Sequence, residues 1–353
     1  MQKLKNMEIN VNSMLSIKNN FHKYSNIKSI LIHGNYKEQQ PTFSIVIPTY
    51  KRISTLKETL ASALNQDYKN YYDIIVCDNN PERDDDTEKF MISIKNERVI
   101  YYKNCDNIGM VGNWNRCVEL CDGKYLVMIH DDDILFSQFL SKCYKIIKLR
   151  DDIDGLYPLR TIWDASKQDK ISYNESKDYI YNLNTLDYLQ GNSDPPTGVL
   201  IKKSSIISLG GFNEDTYPSM DFFFNVMFAN TANLYRYNQR LSLYRIGENE
   251  SMKVNIICSF VEKGIPLIRW IAKQNRIPKF LCNSVLHTFC GNNVDFMMKH
   301  AVDEVNSVDF SKYVLPKNKL QRIFDKIVVR LLNIWIFQRK KLFIISNGSN
   351  NRR

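Results

Sequence analysis

Between Phe43 and Leu149 the chain alternates short apolar runs with amphipathic stretches, and no other feature constrains its fold as much. Phe43 opens the run FSIVIP, which closes at Pro48; Asp73–Cys77 reads DIIVC, Arg98–Tyr102 RVIYY and Tyr125–Ile129 YLVMI. Apolar runs this short, without polar alternation, suit strands buried on both faces. Between them, Thr55–Gln66 sets Leu56, Leu60, Ala63 and Leu64 at helical spacing, and Asp84–Lys95, Met110–Cys121 and Phe136–Leu149 also read as helices. The repetition predicts an α/β fold, a mostly parallel sheet flanked by helices. Ligands of such sheets bind beyond the carboxyl ends of the strands. Here those ends are Pro48-Thr49-Tyr50, Asp78-Asn79-Asn80 and His130-Asp131-Asp132-Asp133.

Several functional classes drop out. No strand is followed by Gly-x-Gly-x-x-Gly, and no Gly-Lys-Ser/Thr loop exists, so dinucleotide-fingerprint and P-loop readings fail. The eight cysteines form no Cys-x-x-Cys and no zinc-finger spacing, which predicts reduced, packed thiols. The densest apolar stretch, Ile327–Phe337, is broken by Arg330 and Asn333 and is too short to span a membrane. The start, MQKLKNMEIN, lacks an apolar signal core. The expected location is the cytoplasm, with a peripheral position on the inner face of the membrane left open.

Asp131-Asp132-Asp133 is the most informative motif. Adjacent carboxylates raise one another's pKa unless a counter-charge is supplied. Mg²⁺ or Mn²⁺, with oxygen ligands from one or two carboxylates and a substrate's phosphates, is the usual supplier. A second triplet, Asp84-Asp85-Asp86, serves as a control: it follows a Pro81-Glu82-Arg83 turn and precedes a helix, so capping is the expected role. The first triplet instead follows a buried strand directly, which favours metal and phosphate binding.

SIVIPTYKR (44–52), IIVCDNN (74–80), NIGMVGNWN (107–115), YLVMIHDDDIL (125–135) and GGFNE (210–214) together resemble family 2 glycosyltransferases of the GT-A fold. The resemblance implies a Rossmann-like sheet, a nucleotide-sugar donor (usually a UDP-sugar), a divalent cation (Mn or Mg) and inverting transfer of a hexosyl or N-acetylhexosaminyl unit. The acceptor it implies is a saccharide or a lipid-linked glycan of bacterial surface polysaccharide synthesis. By position, Pro48, Thr49, Tyr50 and Arg52 match the loop that holds the nucleotide. Asp78, with Asn79 beside it, matches the acid that contacts the base. Asn107, Gly109 and Asn113 match the segment near ribose and diphosphate. Asp131 and Asp133 fit the metal-binding Asp-x-Asp pattern, with Asp132 joining the donor site. In the commoner form, Asp-x-Asp-Asp, the first Asp falls on His130, which is either a ligand or a strand-end histidine with a satisfied hydrogen bond, the second being favoured. Asp221 is the expected catalytic base, with Glu214 as fallback. In LYRIGENES (243–251) the family's frequent His falls on Gly247, leaving Arg245 as a diphosphate contact.

The expected organisation is an N-terminal extension (1–40), a transferase domain (41–250, divided into a nucleotide half, 41–135, and an acceptor half, 136–250) and a helical C-terminal region (251–353). Pro195-Pro196-Thr197-Gly198 is either an acceptor-side loop or a plain turn. From residue 301 onward there are eleven basic residues and four acids, a balance of +7 within a chain total of +10. Residues 319–343 read as one basic amphipathic helix with Leu320, Ile323, Phe324, Ile327, Val328, Leu331 and Trp335 on one face. Such a helix lies on a membrane surface or packs on the protein. No nucleic-acid motif accompanies the charge, and an oligomer is left open. The alternative to an enzyme is a non-catalytic homologue that binds nucleotide sugar and scaffolds a glycan assembly complex.

Overall fold

The four apolar runs form the centre of a sheet. The structure, a computed structural model, describes residues 10–164, 178–246, 253–300, 302–305 and 308–345. In its first half β1 (Ser29–His33), β2 (Phe43–Thr49), β3 (Asp73–Asp78), β4 (Val99–Asn104), β5 (Tyr125–Met128) and β6 (Ile134–Leu135) alternate with helices. These are α1 (Val11–Met14), α2 (Ile53–Leu64), α3 (Asp86–Ser93), α4 (Gly109–Leu120) and α5 (Phe139–Leu149). The second half adds β7 (Gly155–Asp164), β8 (Tyr179–Leu183), β9 (Val199–Lys202) and β10 (Leu234–Ile246), with α6 (Lys203–Ser208) and α7 (Met220–Thr231).

With β11 (Leu342–Ile344) at one edge, one mixed sheet runs β1-β4-β3-β2-β5-β9-β7-β10-β8-β11, and β6 pairs with β10 off this path. Its centre, β4-β3-β2-β5, is parallel; β9 runs antiparallel to both β5 and β7 and joins the halves. Alternation along β2 splits its side chains between two layers. Phe43, Ile45 and Ile47 pack with Leu56 and Leu60 of α2 and Phe139 of α5. Val46 packs on the other face with Val111 and Trp114 of α4 and Phe224 of α7. Both faces of the parallel centre are thereby covered, which explains its continuous apolar runs.

Three features differ from expectation. The N-terminal extension, expected as an appendage to the transferase domain, supplies an edge strand, β1, antiparallel to β4. Its residues SILIH are too few and too mixed to announce a strand locally; pairing with β4 creates it. The helix expected over 319–343 ends at Gln338, because Leu342–Ile344 pairs with β8 as β11. The third is the Asp78 carboxylate, which is buried and is described below. The Asp84-Asp85-Asp86 triplet caps α3 as expected, with Asp85 accepting from the Glu88 backbone N–H at 2.7 Å.

The C-terminal region is helical: α8 (Val254–Gln274), α9 (Lys279–His300), α10 (Val302–Val305) and α11 (Lys319–Gln338). Val261 and Ile268 of α8, Leu286 and Phe289 of α9, and Val329 and Leu332 of α11 share a separate apolar cluster with Phe222 and Val226 of α7. All eight cysteines are free, six of them buried.

Candidate functional site

The carboxyl ends of β2, β3 and β5 open into a cleft of about 490 Å³. Pro48 and Thr49 line it from the end of β2, Tyr50 and Arg52 from the loop that follows, and Asn79 from the loop after β3. Asn107, Gly109 and Asn113 line it from the start of α4, and His130, Asp131 and Asp132 from the end of β5. Asp221 faces the same space from the first turn of α7. Eleven of the thirteen site residues expected from sequence thus share one cavity wall. The two others, Asp78 and Asp133, are buried behind it.

A ladder of amides fixes the loop after β3 and the start of α4. Asn104 Nδ2 donates to Asn79 Oδ1 at 3.0 Å and to Asn113 Oδ1 at 2.9 Å. Asn79 Nδ2 donates to Asn107 Oδ1 at 2.8 Å, and its Oδ1 also accepts from the Ile108 backbone N–H at 3.0 Å. Gly109 takes φ of 72°, a left-handed conformation that glycine adopts without strain, and α4 starts there with its N-terminal N–H groups beside the cleft.

Asp78 does not reach the cleft. Its carboxylate is fully buried and accepts from Tyr101 OH (2.7 Å), Lys103 Nζ (3.0 Å) and the Asn80 backbone N–H (2.9 Å). Lys103 also pairs with Asp85 at 3.0 Å. The direct contact with a base expected of Asp78 is therefore not available in this arrangement: the residue holds the Asn79-Asn80 turn from beneath. The partners that claim it lie 23 and 25 residues away in sequence.

The acidic triplet divides into separate roles. Asp131 Oδ2 accepts from Thr49 Oγ1 at 2.7 Å, and Arg52 Nη1 donates to Asp132 Oδ2 at 2.7 Å. Asp133 turns inward and accepts from the Arg245 backbone N–H at 2.9 Å, leaving its Oδ2 buried without a hydrogen-bond partner. Burial pushes Asp131 up to about 6 and Asp133 to about 7. Among the described residues, ligand atoms of His130, Asp132 and Asp133 converge within 4.8 Å of one another. This grouping matches the Asp-x-Asp-Asp form with His130 first, rather than the Asp131/Asp133 pair of the Asp-x-Asp form. His130 departs from expectation too. Its Nε2 is buried without a partner and its ring stacks on Trp114, centroids 5.4 Å apart. Burial pushes its pKa down, keeping the imidazole neutral and its nitrogen a ligand. Two carboxylates, a neutral imidazole and two orphaned buried atoms fit a divalent cation, with Asp132 and Asp133 as its anionic ligands.

Asp221 is the second residue of α7, with Ser219 at the N-cap position, so it is not the cap. Its carboxylate accepts from the Phe222 backbone N–H at 2.8 Å, and burial raises its pKa. Glu214, the fallback, is taken by Lys23 Nζ (2.6 Å) and Tyr24 OH (2.9 Å) and does not line the cleft. Arg245 points its guanidinium to Glu58 and over Trp163. The rest of its loop, 247–251, lies outside the described residues. The segment Pro195-Pro196-Thr197-Gly198 does border the cleft: Pro195 lines it, and Thr197 Oγ1 accepts from the His130 backbone N–H at 3.2 Å.

Sequence reasoning missed the apolar rim. Met110, Trp114, Tyr217, Pro218, Met220, Tyr244 and Ile256 line the cleft along with the polar residues. Trp114 stood inside a recognised motif. Tyr244, from β10, stood inside the LYRIGENES segment without being singled out, and nothing in the local sequence marks Ile256 of α8.

A parallel β–α half with carboxylates at its strand ends, facing an acid from a second half across one cleft, is the layout of the GT-A fold. Residues 44–209 match the model of glycosyl transferase family 2. The chain is 30% identical over 152 residues to an uncharacterized glycosyltransferase of Methanocaldococcus jannaschii, covering 40% of this chain and 52% of that one. It is 37% identical over 90 residues to the UDP-Glc:alpha-D-GlcNAc-diphosphoundecaprenol beta-1,3-glucosyltransferase WfaP of Escherichia coli, covering 26% of this chain and 35% of that one. It thus spans about half of the first relative's length and about a third of the second's. In fold it is similar to residues 1–349 of TarS from S. aureus in complex with UDP-GlcNAc, with a TM-score of 0.54 and 16% identity, over 88% of this chain and 98% of that one.

Proposed function

We propose that the chain transfers a sugar from a nucleotide-sugar donor, a UDP-sugar, to a hydroxyl of a saccharide or lipid-linked acceptor, with inversion and with a divalent cation. The observation that carries this reading is the meeting of Thr49, Asn79, Asn107, Asp131, Asp132 and Asp221 around one cleft. Similar proteins support the finer terms: UDP-glucose and a diphosphoundecaprenol acceptor in the name of the E. coli enzyme, and bound UDP-GlcNAc in TarS.

In this reading the amide ladder and the loop after β2 hold the nucleoside, and the N-terminus of α4 faces the diphosphate. His130, Asp132 and Asp133 hold the cation, and the imidazole favours Mn²⁺ over Mg²⁺. When bound, the cation offsets the charge that grows on the leaving diphosphate. Thr49 and Arg52 keep Asp131 and Asp132 oriented. Trp114, Tyr217 and Tyr244 offer flat apolar surfaces that exclude water and stack on a sugar. Asp221 takes the proton of the attacking acceptor hydroxyl, a task suited to a carboxylate whose pKa is raised. The acceptor then attacks the face opposite the diphosphate, which inverts the anomeric centre. A donor hydrolysis assay without acceptor tests the reading: slow release of UDP, stopped by EDTA and restored by Mn²⁺, is expected. Nucleotide-sugar binding with no turnover under any cation would favour a non-catalytic scaffold.

A further inference from the structure

Helix α11 packs by its narrow side. Asp325, Val329, Leu332 and Ile336 are its buried residues, at the 4-3-4 spacing of a single stripe. The seam is fixed by a polar contact, Asp325 Oδ2 with His287 Nδ1 at 2.9 Å. The broad apolar face turns the other way. Leu320 is 79% exposed, Leu331 61%, Phe324 58% and Ile327 54%, with Ile323 and Trp335 beside them. At 100° per residue these six fall on one arc opposite the seam. Contiguous apolar surface of this kind marks an interaction site.

We propose that this face of α11 lies on an anionic lipid surface. Charge decides between that occupant and a second copy of the chain. Lys319, Lys326 and Arg330 flank the apolar arc and are exposed. The helix's one acid, Asp325, is buried in the seam. A second copy docked helix to helix would bring cations against cations, with no acid on either helix to meet them. An anionic leaflet accepts both parts of the face, the apolar arc in its boundary region and the cations at its phosphates. Trp335, near the end of the arc, suits the headgroup level. None of the helices among the described residues is long and apolar enough to cross a membrane, so α11 lies in the surface plane.

The helix is tied to the cleft wall. Asn333 accepts from Gln190, and Lys340, just past the helix, pairs with Asp187. Gln190 lies five residues before Pro195, which lines the cleft. Docking at α11 would hold the cleft near the lipid surface; this consequence, though not the docking itself, rests on the lipid-linked acceptor reading.

Sedimentation of the full chain with vesicles tests the proposal, using phosphatidylcholine alone or mixed with phosphatidylglycerol, and no nucleotide sugar. The chain should pellet with the mixed vesicles only and be released by salt. Lys326→Gln with Arg330→Gln should lower partitioning on the order of 25-fold, at about fivefold per cation near the surface. Ile327→Glu with Leu331→Glu should abolish it, with circular dichroism and cation-dependent donor hydrolysis unchanged. Wild-type chain that stays in the supernatant with both vesicles would overturn the proposal. So would Glu variants that pellet like wild type, or a solution dimer dissolved by Ile327→Glu without any vesicle binding. Vesicle binding without donor hydrolysis would leave this surface assigned and remove the transferase reading instead.

Discussion

The hydroxyl of Thr49 donates to Asp131 Oδ2 across 2.7 Å, joining the end of β2 to the end of β5 inside the cleft. Both residues are nearly buried, with only an edge of each on the cleft wall. A hydrogen bond to a charged group is worth about 1.5–3 kcal/mol. Thr49→Val keeps the shape and removes the donor. It should weaken donor binding by about tenfold or more, read as a rise in donor KM with the fold unchanged by circular dichroism. Unaltered KM would show that Asp131 is positioned without Thr49.

Asp221→Asn should lower turnover by about 10²–10⁴-fold, the usual contribution of a general base. Donor binding should persist, because the amide keeps the size of the side chain. Burial raises the Asp221 pKa, so the acidic limb of the wild-type pH–rate profile should lie above the ordinary carboxylate range of ~4. A variant with near wild-type turnover would remove Asp221 from the chemistry.

The strand-end carboxylates predict a pH dependence with a definite sign. Burial holds Asp133 at about 7 and Asp131 at about 6, while the unfolded chain titrates them near ~4. The folded chain therefore keeps protons that the unfolded chain has lost. Their stabilising effect is complete below about 4 and is lost as pH rises through about 6 to 7. His130, pushed down by burial, acts oppositely below about 6.5. Asp133→Asn removes one titrating group, so the cation-free variant should gain thermal stability over wild type near pH 8 and lose that advantage near pH 5. Mn²⁺ should raise the wild-type melting temperature most at the higher pH, where the carboxylates are ionised. Scanning fluorimetry with EDTA or Mn²⁺ reads both effects, and a pH-independent difference between the chains would contradict the account.

Lys103 is 2% exposed and lies within 3.7 Å of Asp78, Asp85 and Glu88. Lys103→Met leaves three carboxylates around an uncharged side chain. Breaking a buried ion network in this way costs about 3–5 kcal/mol, which urea unfolding should detect as a lower midpoint. A loss under about 1 kcal/mol would mean that the network behaves like a surface ion pair.

The parallel centre of the sheet was legible because burial on both faces forces an unbroken apolar run, as in FSIVIP and YLVMI. The same logic located the cleft, since strand ends are set by those runs. What stayed hidden depended on distant partners. Asp78 reads as a ligand in IIVCDNN, but Tyr101 and Lys103 saturate it. His130 reads as an ordinary strand-end residue, but its ring is held by Trp114 with Nε2 unpartnered.

Helix α11 shows another limit. Periodicity reveals that Leu320, Ile327 and Leu331 share a face, but not whether that face packs. The packed stripe includes Asp325, which hydropathy would never select; His287 on α9 selects it. Leu342 and Phe343 read as more helix, yet an open edge at β8 draws Leu342–Ile344 into a strand.

The central claim is that the cleft binds a nucleotide sugar through a cation held by His130, Asp132 and Asp133. Calorimetric titration of UDP-sugars, with Mn²⁺ or with EDTA, into wild type and Asp132→Asn tests it most directly. The account predicts saturable binding of at least one UDP-sugar to wild type in Mn²⁺, with a large loss in EDTA and in the variant. Equal affinity under all these conditions, or no binding of any UDP-sugar, would contradict it.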